Sequence, residues 1–315
     1  MITDPLVTLV VCAHRTQPAH LQAALASALG QTHRELEVIV SDDSPDDRLR
    51  GLVQSFADPR LRYQHNDTAL GVAQNHWQGL LQARGSFVAI LNHDDAFAPT
   101  FVARTLAALR QHPGAALAFC DHRVIDSAGG FMPAVTNQVS ARWGRHTLRA
   151  GLHQPFAALV VAQSIPMAMG TLIRRSALPR TFPAHAGPAY DLWLCTLLAR
   201  SGAGAVYLPE RLSDWRDHAS NLTHAAGLDW LRGSALCWQA MADDRAFENQ
   251  RPQVRRQAAA AWVACARSAW RLGNRRECIR SALRSLRVCV TARGVAALGL
   301  GLLPTPASTP IACSV

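Results

Sequence analysis

Short apolar runs alternate with amphipathic stretches along residues 1–121. The runs are rich in β-branched residues, as strands buried on both faces are. They are Val7–Cys12, Leu36–Ser41, Ser86–Leu91 and Ala115–Asp121. Between them, apolar residues recur at helical spacing in Gln17–Leu29, Val72–Ala83 and Thr100–Gln111. This alternation predicts an α/β fold with a mainly parallel central sheet.

The hydrophobic pattern is less regular after residue 121. It predicts a hairpin over Arg123–Gly130, a strand over Thr171–Arg175 and a pair of strands over Val206–Arg216. It also predicts helices over Trp143–Ala162 and Tyr190–Arg200. From about Asp229 the Ala- and Arg-rich pattern is helical, so a helical region is expected after the α/β body.

Polar clusters come directly after three of the predicted strands. They are His14-Arg15, Asp42-Asp43 and Asn92–Asp95. Ligands of open α/β sheets bind at the carboxyl ends of the strands. Carboxylates placed there suit a divalent cation that holds a diphosphate, or hydrogen bonds to a base or ribose. The first strand is followed by no glycine-rich turn, which argues against a dinucleotide-binding oxidoreductase.

Charge is distributed unevenly along the chain. All 32 basic residues are arginine, which excludes chemistry that needs a lysine. Residues 1–244 carry 20 arginines and 20 acidic residues, whereas residues 245–315 carry 12 arginines against Glu248 and Glu277. The whole net charge of +10 therefore lies in the last 71 residues. A neutral body argues against nucleic-acid binding, and a basic helical region indicates an anionic partner.

The cysteines and the hydropathy pattern indicate a cytoplasmic protein. Eight scattered cysteines form no C-x-x-C pair, which is typical of buried thiols in a reducing compartment. We expect no signal peptide, because no basic region precedes the first apolar run. The longest apolar stretch, Gly294–Leu303, is about half as long as a membrane-spanning helix requires.

Five segments in order resemble the family 2 glycosyltransferases, which are inverting enzymes with the GT-A fold. VTLVVCAHRTQP begins at Val7, EVIVSDDSPDD at Glu37 and NDTALGVAQN at Asn66, and the last of these continues to LNHDD at Leu91. YDLWL follows at Tyr190, and WRDHASNLT at Trp215. The resemblance covers about residues 6–224. It implies a GT-A sheet followed by a C-terminal helical extension.

The resemblance also implies a set of site residues. It places Asp42 and Asp43 against the base and ribose, and the backbone of Ala13 and His14 in the nucleotide pocket. Asp94 would ligate Mg²⁺ or Mn²⁺ across the two phosphates, with His218 near that metal. The nucleotide-sugar site is completed by Asn75, Asn92 and His93. A carboxylate would deprotonate the acceptor hydroxyl.

Two positions depart from the family pattern. Asn92 stands where the D-x-D motif begins with Asp, and Pro188-Ala189 stand where the acceptor motif reads Glu-Asp. Asp191 remains, either as the general base or as a helix N-cap. The alternative function is a weakened or inactive relative that binds a nucleotide sugar or glycan. A nucleotidyltransferase is disfavoured, because Thr8–His20 contains no glycine or lysine.

These observations predict the domains and partners. A GT-A domain spans 1–224, with a nucleotide-binding half of about 1–121 and an acceptor-side half of about 122–224. A basic helical region spans 225–303, and a disordered tail 304–315. The expected partners are a nucleotide-diphospho-sugar and a glycan, lipid-linked or protein acceptor. An anionic surface at the inner membrane face would meet a basic face formed by Arg276, Arg280, Arg284 and Arg287.

Overall fold

A computed structural model describes residues 4–219, 221 and 227–304 of the chain. The chain forms two compact units, residues 1–221 and residues 222–315. The expected disordered tail lies outside the described residues, apart from Pro304.

One large sheet forms the centre of the first unit. Its nine strands among the described residues are β1 Val7–Ala13, β2 Leu36–Asp42, β3 Leu61–His65, β4 Phe87–Asn92, β5 Ala96–Phe97, β6 Ala115–Ile125, β7 Gly151–His153, β8 Thr171–Arg174 and β9 Gly204–Arg216. They are ordered β3-β2-β1-β4-β8-β6-β9-β5, and β7 pairs with β9. All seven residues of β1 are buried, as expected for a strand covered on both faces.

The sheet changes character halfway across. Strands β3, β2, β1 and β4 are parallel to one another. Strand β8 is antiparallel to both β4 and β6, and β6 is parallel to β9. The predicted α/β class is confirmed. The part formed by β3, β2, β1 and β4 is purely parallel, whereas the rest of the sheet is mixed.

Helices cover this sheet. They are α1 Pro18–Leu29, α2 Leu49–Gln54, α3 Val72–Leu81, α4 Phe101–Gln111, α5 Pro133–Arg142, α6 Ala157–Val161 and α7 Tyr190–Ala199. Helix α3 packs closely on β1 through Gly79, where a Cβ would collide with Val10 Cγ1. This close approach positions α3 beside the carboxyl ends of β1 and β2.

Two predictions of local structure were wrong. Trp143–Ala162 is not one helix but a 3₁₀ turn, β7 and α6. Gly144 and Gly151 interrupt it with positive φ angles of 69° and 104°, which a helix cannot hold. Val206–Arg216 lies in one strand, β9, rather than a pair. The hairpin predicted at Arg123–Gly130 is present in short form, as the end of β6 and a turn closed by one antiparallel bridge between Ile125 and Phe131.

The second unit is helical over its described residues. Its helices are α8 Leu228–Ala242, α9 Arg251–Arg271, α10 Arg275–Val288 and α11 Ala292–Leu302. Trp262 of α9 is fully buried, as are Cys278 and Ala282 of α10. The predicted C-terminal helical region is therefore confirmed, although the buried residues of α10 are small apart from Glu277 and Leu283 is 41% exposed.

Candidate active site

The carboxyl ends of β1, β2 and β4 meet at one edge of the sheet. In register, Ala13 of β1 lies beside Asp42 of β2, and Cys12 lies beside Asn92 of β4. The loops after these strands carry most of the predicted site residues. The sheet therefore brings together segments that are about 30 to 80 positions apart in the sequence.

Asp42 and Asp43 are both buried and both hold backbone in place. Asp42 accepts hydrogen bonds from the Ser44 amide at 2.9 Å and from the Tyr63 hydroxyl at 2.8 Å. Asp43 accepts from the amides of Leu70 and Gly71, each at 2.8 Å. Those two amides directly precede α3, so Asp43 fixes the start of that helix. Both carboxylates order the loops around the strand ends, and their second lone pairs could still accept from a ligand.

Asn75 and Ala13 form the floor below this loop. The Asn75 side-chain amide donates to the carbonyls of Ala13, at 3.3 Å, and Ser41, at 3.0 Å. Its oxygen accepts from the Ser41 hydroxyl at 2.6 Å. Asn75 is buried and ties α3 to the ends of β1 and β2, whereas His14 is exposed. Of these three predicted residues, His14 is therefore the one that solvent reaches.

Asp94 and His218 are brought together from positions 124 residues apart. His218 Nε2 lies 3.0 Å from Asp94 Oδ2, and the two side chains are 12% and 16% exposed. His20 stacks on His218 with ring centroids 5.3 Å apart. Burial lowers the pKa of His20, and the nearby Arg216 lowers it further. The pair is thus accessible to a ligand, with an uncharged ring favoured beside it.

Asn92 links the carboxyl end of β4 to helix α7. Its side-chain amide donates to Asp95 Oδ2 at 3.1 Å, and its oxygen accepts from the Tyr190 hydroxyl at 3.2 Å. Asp95 is buried and also accepts from the Arg216 amide at 2.9 Å. Burial, and then the neighbouring Asp94, raise the pKa of Asp95 well above its usual range. The amide of Asn92 thus gives Asp95 a donor without adding a charge.

The hydrogen-bond partner of His93 is Thr16, not the Asp94–His218 pair. The His93 Nδ1 lies 2.5 Å from the Thr16 hydroxyl. Burial lowers the pKa of His93, which favours the neutral ring. His93 therefore links the β4 loop to the turn after β1.

Asp191 lies in the first turn of α7 and is exposed to solvent. It is not the N-cap, which is Ala189, although its Oδ1 accepts from the Leu192 amide at 2.7 Å. Surrounding protein still removes enough water to raise the pKa of Asp191. A solvent-exposed carboxylate with a raised pKa has the properties of a proton acceptor.

Sequence reasoning missed two residues that join the parts of this site. Arg216 donates from Nε to the Asp94 carbonyl at 2.8 Å and is buried. Tyr190 stacks on His76 at 4.0 Å and reaches Asn92. Arg216 lies in the WRDH segment and Tyr190 in YDLWL, so the motifs marked the right segments but not these side chains.

Two oxygen or nitrogen ligands do not make a metal centre by themselves. Within the described ranges, no group of three or more His, Cys, Asp or Glu side chains could hold a metal ion. Asp94 and His218 offer one carboxylate oxygen and one imidazole nitrogen, so a ligand would have to supply the remaining donors. Such an incomplete set is typical of a site that binds a metal together with a diphosphate.

The parallel half-sheet, with the polar loops at the carboxyl ends of β1, β2 and β4, defines an α/β protein of the class that binds ligands at that edge of the sheet. Residues 8–178 match the family model described as "Glycosyl transferase family 2". The chain belongs to that family, as the resemblance predicted.

Curated relatives align with parts of the chain. A UDP-Glc:α-D-GlcNAc-diphosphoundecaprenol β-1,3-glucosyltransferase of Escherichia coli is 33% identical over 92 residues, which are 29% of this chain and 36% of that protein. Succinoglycan biosynthesis protein ExoO of Rhizobium meliloti is 34% identical over 102 residues, 32% of this chain and 29% of that protein. The matched segments span between 14% and 40% of the length of the curated relatives.

Solved structures confirm the fold. S. aureus TarS 1–349 matches with a TM-score of 0.66 and 15% identity, over 93% of this chain and 83% of that chain. A mannosyltransferase from Pyrobaculum calidifontis, in complex with GDP-Man and Mn²⁺, matches with a TM-score of 0.61 and 18% identity, over 96% of this chain and 87% of that one. The predicted GT-A architecture with a C-terminal helical region is therefore correct.

Proposed function

We propose that this chain transfers a sugar from a nucleotide-diphosphate donor to a hydroxyl group of an acceptor, with inversion at the anomeric carbon. Membership of the glycosyltransferase family supports the reaction class. The observation that carries the proposal is the accessible Asp94–His218 pair, which adjoins the carboxyl edge of the sheet. The buried turn at Asp42-Asp43 ends the neighbouring β2 strand and would meet the base and ribose.

The donor diphosphate and a divalent cation would share the Asp94–His218 pair. A carboxylate oxygen suits Mg²⁺ or Mn²⁺, whereas an imidazole nitrogen is a better ligand for Mn²⁺. The two residues fit such an ion as partial ligands, and Arg216 holds the backbone of Asp94 in place. When bound, the cation would neutralise the charge of the departing diphosphate.

Asp191 is the base in this proposal, and it would take the proton of the acceptor hydroxyl. The family position for the base is Ala189, whose side chain cannot accept a proton. Asp191 follows Tyr190, which bonds Asn92 at the donor edge, so the carboxylate belongs to the same part of the molecule. Inversion needs one displacement with the base and the leaving diphosphate both in place.

The acceptor would be a lipid-linked or surface-polysaccharide glycan. One relative's name includes a diphosphoundecaprenol-linked sugar, and another is named for succinoglycan biosynthesis. The structures that match this fold include one with UDP-GlcNAc and one with GDP-Man. These names support a nucleotide-sugar donor, but they do not identify its nucleobase.

Calorimetric titration of UDP, GDP, dTDP and CDP tests the donor site. We expect one nucleotide to bind with Mn²⁺ and not with EDTA, and Asp94→Ala to lose that binding. Glu210→Ala is the matched control, because Glu210 is an exposed carboxylate paired with Arg104 on the surface. Equal binding by Asp94→Ala and wild type would reject the metal placement.

The second candidate is a relative that binds nucleotide sugar but transfers no sugar. Asn92, Pro188 and Ala189 favour it, because they remove three acidic positions of the family pattern. Metal-dependent hydrolysis of the donor separates the two candidates. Hydrolysis above the uncatalysed rate supports an enzyme, and binding without hydrolysis supports the inactive relative.

The C-terminal unit would attach the protein to an anionic membrane face. None of the described helices is both long and apolar enough to cross a bilayer. Helix α10 carries both exposed arginines and the exposed Leu283, 41%, and the exposed Val290, 78%, follows the helix. Helix α11 adds Val295, 56% exposed, and Leu302, 64% exposed. Helices that combine exposed apolar side chains with arginine are typical of those that bind anionic lipid surfaces.

Vesicle co-sedimentation tests the membrane proposal. We expect binding to vesicles that contain phosphatidylglycerol, and loss of it on replacing Arg276, Arg280, Arg284 and Arg287 with Gln. The control replaces four exposed arginines of the first unit, Arg34, Arg48, Arg104 and Arg110. Unchanged binding of the first variant, or equal loss in the control, would reject this surface.

A further inference from the structure

A cavity of about 320 Å³ lies among three helices of the C-terminal unit. It is bounded by the end of α8, the beginning of α9 and the end of α10. Three arginines line it: Arg255 of α9, and Arg284 and Arg287 of α10. One carboxylate, Asp243, also lines it and is exposed. The lining therefore carries a formal charge of +2.

These arginines differ from their neighbours in having no acidic partner. In the same unit, Arg232 and Arg280 both pair with Glu277, and Arg251 pairs with Glu248. Over the described part of the chain, no Asp or Glu oxygen lies within 4.0 Å of a guanidinium nitrogen of Arg255, Arg284 or Arg287. Three guanidinium groups line one cavity with Asp243 as the one carboxylate of the lining, so an anion placed among them is stabilising.

Two of the guanidinium groups are held in position by the fold. The Arg284 guanidinium lies 4.6 Å from the ring centroid of Trp262, which is fully buried. The Trp262 indole itself donates to Gln239 at 3.0 Å, so the ring under Arg284 is fixed. Arg255 donates from Nε to the Val288 carbonyl at 3.0 Å. Its two terminal nitrogens have no hydrogen-bond partner among the described residues. Side chains held in this way lose little entropy when they bind a ligand.

We propose that this cavity is a binding site for a phosphate or diphosphate group. Arginine donors in a fork match phosphate oxygens in pairs, and the volume is at the small end of ligand pockets. Arg255 and Arg287 would bond the oxygens, while Arg284 supplies charge from its fixed place on Trp262. The group could belong to a lipid headgroup or to a free phosphate compound, since both present the same oxygens. All of the residues that line this cavity belong to the second unit.

Titration of inorganic diphosphate into the full-length chain tests the pocket. EDTA is present, and Asp94→Ala serves as the background, so that the proposed donor site does not contribute. We expect saturable binding at one site per chain, weakened at least about tenfold by Arg255→Gln with Arg287→Gln, as loss of charged hydrogen bonds of about 1.4 kcal/mol or more predicts. The matched control is Arg256→Gln with Arg267→Gln, two exposed arginines of α9 that do not line the cavity.

Vesicles containing phosphatidic acid distinguish the two sources of the phosphate. A lipid headgroup predicts vesicle binding that the pocket pair weakens and the control pair does not. A free phosphate compound predicts that inorganic diphosphate binds and that the pocket pair leaves vesicle binding unchanged. Equal losses in both variant pairs would mean general charge attraction and would overturn the pocket. So would a failure of both diphosphate and vesicles to bind the wild-type chain.

Discussion

Replacing Asp191 with Asn is expected to lower the rate of sugar transfer about 100- to 10,000-fold, which is the usual contribution of a general base. The amide keeps the shape of the side chain and can still accept from the Leu192 amide. It cannot take a proton from the acceptor hydroxyl. Donor binding should therefore stay unchanged, because Asp94 and His218 are untouched. Single-turnover transfer and nucleotide titration measure the two effects separately.

The pH dependence of transfer gives a second readout for the same residue. Desolvation by the surrounding protein raises the pKa of Asp191 above its ordinary value, although the side chain is still exposed to solvent. The base must be ionised, so wild-type activity should fall as the pH falls through that raised pKa. Asp191→Asn should remove this acidic limb from the residual activity. The matched control Glu210→Gln alters an exposed carboxylate away from the site and should change neither rate nor profile.

Two results would contradict this role for Asp191. A rate within about threefold of wild type would assign proton acceptance to another group, because a general base contributes far more. A parallel loss of transfer and of nucleotide binding would instead assign Asp191 to the structure of α7. Nucleotide binding must therefore be measured beside transfer, because Asp191 also accepts a hydrogen bond from the Leu192 amide in the first turn of α7.

The parallel part of the sheet was predictable because its sequence signals are local. Strands β1, β2 and β4 are continuous buried runs, and their burial on both faces forces a hydrophobic pattern that no loop would carry. The strand β3 was missed because all five of its residues are only partly buried, so its pattern resembles a loop. The apolar residues of the stretch 143–162 predict a helix. Gly144 and Gly151 interrupt it, because both have positive φ angles.

The site was predictable in its segments but not in its contacts. The clusters after the strands mark the ligand edge, because parallel strands all end there. Whether a carboxylate faces solvent depends on distant partners, as Asp43 shows by bonding the amides before α3. Tyr190 and Asn92 meet across 98 positions, and Arg216 and Asp94 across 122. No local pattern encodes such pairs, since they arise from the order of strands in the sheet.

Asn92→Asp is expected to destabilise the protein by about 2 kcal/mol near neutral pH, through loss of the hydrogen bond to buried Asp95 and repulsion between the new carboxylate and Asp94. The wild-type amide donates to Asp95 Oδ2, whereas Asp would present an oxygen there. Asp95 is already hard to ionise, because it is buried beside Asp94. The amide is therefore the group that these neighbours require. We infer that Asn92 is an adaptation to them rather than a decayed D-x-D motif.

The sign of the pH effect separates this inference from simple misfolding. The new carboxyl would have a pKa raised in the folded state by Asp94 and Asp95, so folding binds protons there. The destabilisation should be largest above that raised pKa and should shrink as the pH falls through it. Urea midpoints measured at several pH values check this. Asn137→Asp is the matched control, because Asn137 is exposed and accepts from Arg211, so a charge there should cost nothing. If Asn92→Asp were as stable as wild type and bound donor more tightly, Asn92 would instead be a lost metal ligand.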